Sequence, residues 1–116
     1  MSNEWNVFDA EGYAENLAVQ LRKGFLAYCV LKVCSREPVY TSDIIVRLRD
    51  AELVVVEGTI YPLLSRLQRD GLLQYVWHES EQGPPRKYYE VTDRGRQVVE
   101  LAGHKIAKLS MTLKKL

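Results

Sequence analysis

The chain has 116 residues, of which 47% are hydrophobic and 27% are charged, and its formal net charge at pH 7 is +1. These values are typical of a single soluble globular domain. No apolar run reaches the roughly 18 residues that a membrane span requires. The acidic beginning also lacks the early cations of a secretory signal, so we expect a cytoplasmic protein.

The charge is unevenly distributed along the chain. Residues 1–21 carry four acidic side chains and no Lys or Arg, whereas residues 86–116 carry eight Lys or Arg and three acidic side chains. The near-neutral total is therefore a cancellation between an acidic beginning and a basic end. Either the basic end faces phosphate, or it only complements the dipole of a C-terminal helix.

The first part of the chain predicts a tail followed by a helix. Residues 1–10 show no clear hydrophobic period, and we interpret them as a tail or a short extra turn, with the tail extending to residue 12. From Tyr13 to Ser35 apolar side chains recur every three or four positions, which predicts a helix that is buried on two sides. Gly24 lies in the middle of this helix and indicates that another backbone approaches closely there.

The cysteines and histidines do not form a recognisable reactive site. Cys29 and Cys34 lie in the first predicted helix with Cα atoms roughly 8 Å apart, which excludes a disulfide. His78 and His104 have no metal-ligand spacing to either cysteine, so we expect buried thiols and no metal. The sequence also shows no nucleophile paired with a histidine and no phosphate-binding glycine loop. An enzyme and a bound cofactor are therefore not expected.

A second helix follows a proline. Pro38 stops the preceding structure, and Thr41 or Ser42 is a suitable N-cap for a helix that runs to about Ala51. Residues 53–56 have a strand-like composition, but the run is short and isolated. We interpret it as the apolar turn between two helices.

A third helix is predicted from near Glu57, with Gly71 as its C-cap. Pro62 has to lie near its first turn, where a missing N–H is tolerated. Three leucines pack inward, while Thr59 and Tyr61 belong to a polar face that also carries arginines.

A β-hairpin is predicted after this helix. Residues 72–80 and 86–91 have strand composition, and residues 81–85 form the loop between them. Arg86 and Lys87 follow the Pro-Pro turn directly. Trp77 is expected in the core, and of Tyr88 and Tyr89 one should be buried and one exposed.

The last helix begins at its N-cap Thr92 and runs to the end of the chain. Its apolar residues recur at spacings of three and four, as in a coiled-coil seam, and a projecting seam requires a partner. Gly95 should let this helix lie close to the hairpin. The candidate dimer contacts are Leu17, Leu21, Val99, Ala102, Ile106, Leu109, Leu113 and Leu116.

The predicted order of helix, helix, helix, hairpin and long helix is that of a winged helix-turn-helix, a mainly α fold with a small β-hairpin. Residues 13–92 form its DNA-binding domain and residues 93–116 its dimerisation helix. The run EGTIYPLLSRLQRDGLL from residue 57, followed by EQGPPRKYYEVTDRGR from residue 81, resembles the PadR-like family of bacterial transcriptional regulators. RKGFL at 22–26 and PVY at 38–40 also match, so the resemblance covers most of residues 22–97.

The resemblance implies a homodimer that binds operator DNA and usually represses transcription, and in several members a small aromatic or drug-like effector releases it. Thr41 and Ser42 depart from the glycine and aromatic residue common in relatives, and Val56 replaces a frequent serine. The drug-binding relatives use a tryptophan on the final helix. Here that helix has no aromatic residue, so that mode of ligand capture does not carry over.

The candidate DNA contacts are Tyr40, Thr41, Ser42, Thr59, Tyr61, Arg66, Arg86 and Lys87. For the tyrosines the alternative is packing, for Arg66 a solvated face, and for the two hairpin cations a salt bridge to an acid across the hairpin. Trp5 is a candidate for bordering an effector cavity or covering the dimer partner. The near-neutral net charge supports a second reading, a winged-helix module that binds a protein instead of DNA.

Overall fold

The computed structural model describes residues 7–53 and 55–116. Its elements in chain order are α1 Ala10–Arg36, β1 Val39–Tyr40, α2 Thr41–Asp50, α3 Glu57–Arg69, β2 Leu73–Ser80, β3 Gly83–Val91 and α4 Asp93–Lys115. The predicted winged helix-turn-helix with a long C-terminal helix is confirmed. The short strand β1 is an addition that the sequence pattern did not indicate.

Helix α1 begins three residues earlier than predicted, so residues 10–12 are helical and not a tail. Asp9 caps it, because its Oδ1 accepts a hydrogen bond of 2.9 Å from the Gly12 N–H. The expectation for Gly24 is wrong for the described chain: a Cβ built there meets no atom within 4 Å.

The connection from α1 to α3 differs from prediction at the cap of α2. Tyr40, which has an extended backbone, is the N-cap, and neither Thr41 nor Ser42 takes that position. Shortly after α2 ends, Glu52 has a left-handed backbone with φ 66°, and the N–H of Leu53 donates to the Leu48 carbonyl at 3.0 Å. These features form a Schellman-type stop, in which the left-handed residue is a glutamate where a glycine is usual.

Helix α3 contains Pro62 in its second turn, one turn later than predicted. The missing N–H leaves the Gly58 carbonyl without its helical donor, which is tolerable because Gly58 is exposed to water. Gly71 ends the helix at φ 78°, and the N–H of Leu72 donates to the Leu67 carbonyl at 2.9 Å. The expected glycine stop is therefore present.

The three strands form one antiparallel sheet in the order β1-β3-β2. Residues 81–82 form the hairpin tip, and Gly83 already belongs to β3, so the predicted loop is shorter than expected. Between the pairs His78–Arg86 and Ser80–Gly83, β3 has two residues, Pro84 and Pro85, where β2 has only Glu79. At this bulge the other edge of β3 is not paired with β1. Prolines are tolerated there because no backbone N–H is needed for a ladder hydrogen bond at these positions.

The hairpin has two faces that the register defines. The inner face, which continues the core, comprises Leu73, Tyr75, Trp77, Lys87, Tyr89 and Val91, and the outer face comprises Tyr40, Val76, His78, Arg86 and Tyr88. Tyr89 is buried and Tyr88 is half-buried. The prediction that Trp77 lies in the core is wrong, because its side chain is 62% exposed beyond the point where the core ends.

Helix α4 is fixed to the end of α3 through Thr92. The Thr92 hydroxyl donates to the Gly71 carbonyl at 2.6 Å and accepts from the Gly95 N–H at 3.1 Å. A Cβ on Gly95 would lie 2.1 Å from the Leu72 carbonyl oxygen and 3.1 Å from the Val91 Cβ. Gly95 is therefore required for the close approach of α4 to the base of the hairpin, as expected.

Replacing Gly95 with alanine should lower the free energy of unfolding by about 2 kcal/mol or more, because the new methyl group overlaps backbone that cannot move independently. Gly24→Ala is the matched control. Its Cβ enters open space on a helix, so it should raise stability by up to about 1 kcal/mol. Urea unfolding followed by circular dichroism at one protein concentration measures both changes. An unchanged midpoint for Gly95→Ala would contradict the packing described.

Candidate nucleic-acid interface

Helix α3 presents one apolar and one exposed side. Its buried residues are Ile60, Leu63, Leu64 and Leu67. At roughly 100° per residue, the row most directly opposite this apolar side is Gly58, Pro62, Ser65 and Arg69. All four of these outward residues are exposed. The helix therefore leaves this face, whose polar side chains are Ser65 and Arg69, without a covering element in the described part of the chain.

The predicted contacts on α3 flank this outward row on opposite sides. Thr59 and Tyr61 are separated by roughly 160° around the helix axis. Tyr61 is 55% exposed, which argues against a role in core packing. Thr59 and Arg66 turn towards α1 and line the groove described below. Arg69 lies closer to the centre of the exposed face than Thr59 or Arg66. Counting the helical period from the buried leucines would have identified Arg69 as a candidate contact.

The entry to α2 contributes fewer exposed groups than predicted. Thr41 is only 7% exposed and lies in the core, so it is withdrawn from the candidate contacts. Ser42 is exposed, and Tyr40 is half-buried. Tyr40 packs against its register partner Tyr88 with ring centroids 5.8 Å apart. Tyr40 thus has a packing role while part of its ring remains accessible.

The outer face of the hairpin carries one cation on an aromatic cluster. The Arg86 guanidinium carbon lies 5.0 Å from the Tyr40 ring centroid, and the rings of His78 and Tyr88 are 4.6 Å apart. Stacking holds the guanidinium plane while leaving its N–H groups free to donate. The structure thus brings together two predicted contacts that lie far apart in the sequence, Tyr40 and Arg86.

Lys87 lies on the inner face, on the other side of the sheet from Arg86. Its Nζ is 4.0 Å from the Tyr75 ring centroid and 5.6 Å from that of Tyr89, and the side chain is half-buried. The ion pairs found among the described residues are Arg22–Glu15 and Arg47–Glu37. The two hairpin cations therefore lie on tyrosine rings, and the alternative of a salt bridge across the hairpin is not realised there.

A groove of about 710 Å³ separates α3 from α1. It is lined by Val19, Arg22, Lys23, Leu26, Leu53, Val56, Thr59, Pro62, Leu63, Arg66 and Arg69. Four of these residues are cations and none is acidic. Arg22 is paired at the rim with Glu15. The sequence did not indicate this groove, because its two walls lie about forty residues apart in the chain.

The free ends of α1 and α4 expose apolar side chains. The two helices run antiparallel, since Arg96 donates to the Ser35 carbonyl and the Tyr28 hydroxyl lies beside Gly103. The first half of α1 and the second half of α4 therefore extend to the same end of the molecule. The predicted seam residues Val99, Ala102 and Ile106 are half-buried. Those exposed by more than half are Leu17, Leu21, Leu109, Leu113 and Leu116.

Other kinds of site find no support in residues 7–53 and 55–116. No group of three His, Cys, Asp or Glu side chains there is arranged to hold a metal ion. No helix among them is long and apolar enough to cross a membrane. Burial raises the pKa of the Cys34 thiol to about 12, and it also raises the pKa of Cys29. Both thiols are thus kept protonated, which disfavours nucleophilic or redox chemistry. Trp5 lies outside the described residues.

Comparison with known proteins gives a consistent match. The model of the family described as "Transcriptional regulator PadR-like family" matches residues 30–101. No curated protein matches the chain. Among solved structures, a PadR-like transcription factor from Bacteroides fragilis is 48% identical, with a TM-score of 0.72. The match covers 86% of this chain and 97% of that one.

Two further solved structures share the complete fold. A PadR family transcriptional regulator from Eggerthella lenta is 31% identical, with a TM-score of 0.79, over 90% of this chain and 92% of that one. A PadR-like transcriptional regulator from Bacillus cereus is 35% identical, with a TM-score of 0.74, over 83% of this chain and 94% of that one.

Proposed function

Since the chain belongs to the PadR-like family of DNA-binding transcriptional regulators, we propose that it represses transcription as a homodimer. The observation that carries the proposal is the uncovered polar face of α3. Four apolar residues hold this helix on the core, while the row from Gly58 to Arg69 faces outward. A helix presented in this way has the dimensions to enter a DNA major groove.

The hairpin supports the same proposal as the wing of the motif. It starts directly after α3 through the Gly71 turn, so its position relative to the helix is fixed. Arg86 extends from its outer face and Lys87 from its inner face. Cations on both faces suit a hairpin that lies along a phosphate backbone, where sequence-independent contacts supply much of the affinity.

Homodimerisation is supported by the unpartnered apolar ends of α1 and α4. Leu109 and Leu113 are 68% and 74% exposed, and both lie on the seam that begins inside the domain at Val99. Burying such a seam against a second copy removes the apolar surface from water. A two-fold dimer also presents two copies of α3, which we call the reading helix, to the two halves of a pseudo-palindromic operator.

Repression requires only that the operator be occupied. Every described element belongs either to the winged module or to the helices that we assign to the dimer contact. This architecture suits a regulator that acts by blocking access to DNA.

The groove between α1 and α3 is our candidate site for an effector. Its floor is apolar, and its rim carries Arg22, Lys23, Arg66 and Arg69. This combination suits an amphipathic organic anion, whose ring or chain packs on the floor while its acid group meets the guanidinium groups. Because Arg66 and Arg69 belong to the reading helix, an anion there competes with phosphate for the same cations.

The first test of DNA binding uses a labelled duplex from the region upstream of the protein's own gene, with excess mixed-sequence duplex as competitor. Tyr61→Ala should weaken binding to the upstream duplex by about tenfold while leaving mixed-sequence binding unchanged. The double variant Arg86→Ala, Lys87→Ala should weaken both, and it should reduce the slope of log affinity against log salt by about four, because each of the two wings of the dimer loses two cations. If the unmodified protein shifts neither duplex, the protein-binding alternative for this winged module replaces the proposal.

The dimer is tested by light scattering coupled to size-exclusion chromatography. The protein should elute at twice its 13.4 kDa chain mass. Leu109→Glu with Leu113→Glu should give the monomer, because two charges cannot be buried in an apolar seam. Met111→Glu is the matched control, since Met111 is 57% exposed but lies on the opposite side of α4. A dimer that survives the double substitution would show that the contact lies elsewhere.

The effector site is tested with the aromatic sulfonate 1-anilinonaphthalene-8-sulfonate as the probe. Val19→Glu places a carboxylate in the groove and should weaken probe binding by about tenfold. Val46→Glu, an exposed valine of α2 outside the groove, should leave it unchanged. Saturating probe should also raise the apparent dissociation constant for the upstream duplex. Equal probe binding by both variants would exclude this groove.

A further inference from the structure

Trp77 is an exposed aromatic side chain that core packing does not explain. It is 62% exposed, although it lies on the inner face of the wing in line with the buried residue Leu73. Along β2 the side chains of this face pass from buried Leu73 to Tyr75 at 37% exposure and then to Trp77. The indole therefore extends the apolar face of the sheet past the end of the core and into solvent.

The indole is held in place by a chain of aromatic contacts. Its ring centroid lies 6.0 Å from that of Tyr75 at an interplanar angle of 85°, and Tyr75 lies 6.2 Å from Tyr89. Tyr89 is only 6% exposed and anchors this chain in the core. Trp77 thus has a restricted position before any partner binds, which reduces the entropy lost on contact.

The charges beside Trp77 favour an anionic partner. Lys87 is its register partner on β3, and its ammonium group is held over the Tyr75 ring. Trp77 also shares a surface hollow at the wing edge with Arg86 and Lys87. Glu79 follows at the bulge near the tip, outside the regular register. Lys87 is therefore the cation on the same face as the ring, and Arg86 adds a second positive charge at the edge of the wing.

We propose that Trp77 contacts duplex DNA, with its indole packed against the sugar edge of a minor groove beside the groove that α3 enters. The inference rests on the proposed function and adds an apolar contact to it. Minor-groove proteins commonly combine cations with apolar wedges. Lys87, half-buried on the tyrosines, then meets the phosphate next to the sugar that Trp77 covers. Duplex DNA is favoured as the occupant because α3, which leads into this strand, is the reading helix.

The affinity test compares Trp77→Ala, Trp77→Phe and Val76→Ala on the labelled upstream duplex and on mixed-sequence duplex. Trp77→Ala should weaken binding to both by about tenfold or more, and Trp77→Phe should lose less because a ring remains. Val76 is the adjacent residue of the same strand on the opposite face, so Val76→Ala should bind as the unmodified protein does. Circular dichroism melting verifies that each variant is folded.

A second measurement reads the contact directly, through the accessibility of the indole to a quencher. Tryptophan fluorescence is quenched with acrylamide, free and with saturating mixed-sequence duplex, in the unmodified protein and in Trp77→Phe. The chain contains 2 Trp, so the difference between the two proteins reports Trp77. Saturating DNA should lower the acrylamide quenching constant of Trp77 at least about threefold, because a buried indole excludes the quencher.

The outcomes are distinguishable. In one outcome the unmodified protein binds duplex while Trp77 stays fully accessible to the quencher, and in another it binds duplex while Trp77→Ala retains normal affinity. Either result overturns the proposed contact and leaves the DNA-binding function intact. If the unmodified protein binds no duplex, both the Trp77 contact and the proposed DNA-binding function are overturned. Protection of Trp77 by dimerisation alone, seen as a dependence on protein concentration without DNA, assigns the indole to a second copy and also overturns the contact.

Discussion

The contact between the backbone of Gly95 and the carbonyl of Leu72 determines how the two halves of this molecule are joined. Around it, the Thr92 hydroxyl links the end of α3 to the start of α4. The end of α3, the base of the hairpin and the beginning of α4 therefore meet within a few ångströms. No side chain at Gly95 separates the start of α4 from the base of the hairpin, so the two backbones are in direct contact.

This junction gives a physical route for coupling between a dimer contact and a DNA contact. Helix α4 projects its apolar seam away from the core, while α3 carries the polar face, and both are held at Gly71 and Thr92. The groove that we propose for an effector is formed by α3 and the first half of α1, which extends to the same end as the seam. A ligand that separates α1 from α3 would therefore change the distance between the two reading helices of a dimer.

The sequence predicts the fold well because the fold depends on local signals. The leucine period of α3, the glycine at its end and the threonine cap of α4 each act within a few residues. The errors occur where the answer depends on distant partners. Trp77 is a large aromatic residue of the kind that usually packs in a core, and only its 62% exposure in the folded chain shows that the core ends before it. Gly24 suggested a close neighbour that the described chain does not supply.

The candidate site could be predicted only in part for the same reason. The reading helix and the wing follow from their own segments, whereas the groove cations Arg22 and Lys23 become relevant only once α1 packs beside α3. Thr41 directly follows Tyr40 at the entry to α2 and was a candidate contact, yet the packing of α2 buries it. The stacking of Arg86 on Tyr40 depends on β1, a strand of two residues that is too short to leave a pattern.

The composition of the outward row of α3 has a consequence for how an operator would be distinguished. Gly58 offers no side chain and Pro62 offers neither a donor nor an acceptor, so Ser65 and Arg69 are the hydrogen-bonding side chains of that row. Two such groups distinguish few base pairs by direct contact. We expect Tyr61, at the edge of this row, to add a further base contact, and the remaining discrimination to depend on the bendability and groove width of the duplex, including base pairs that no side chain touches.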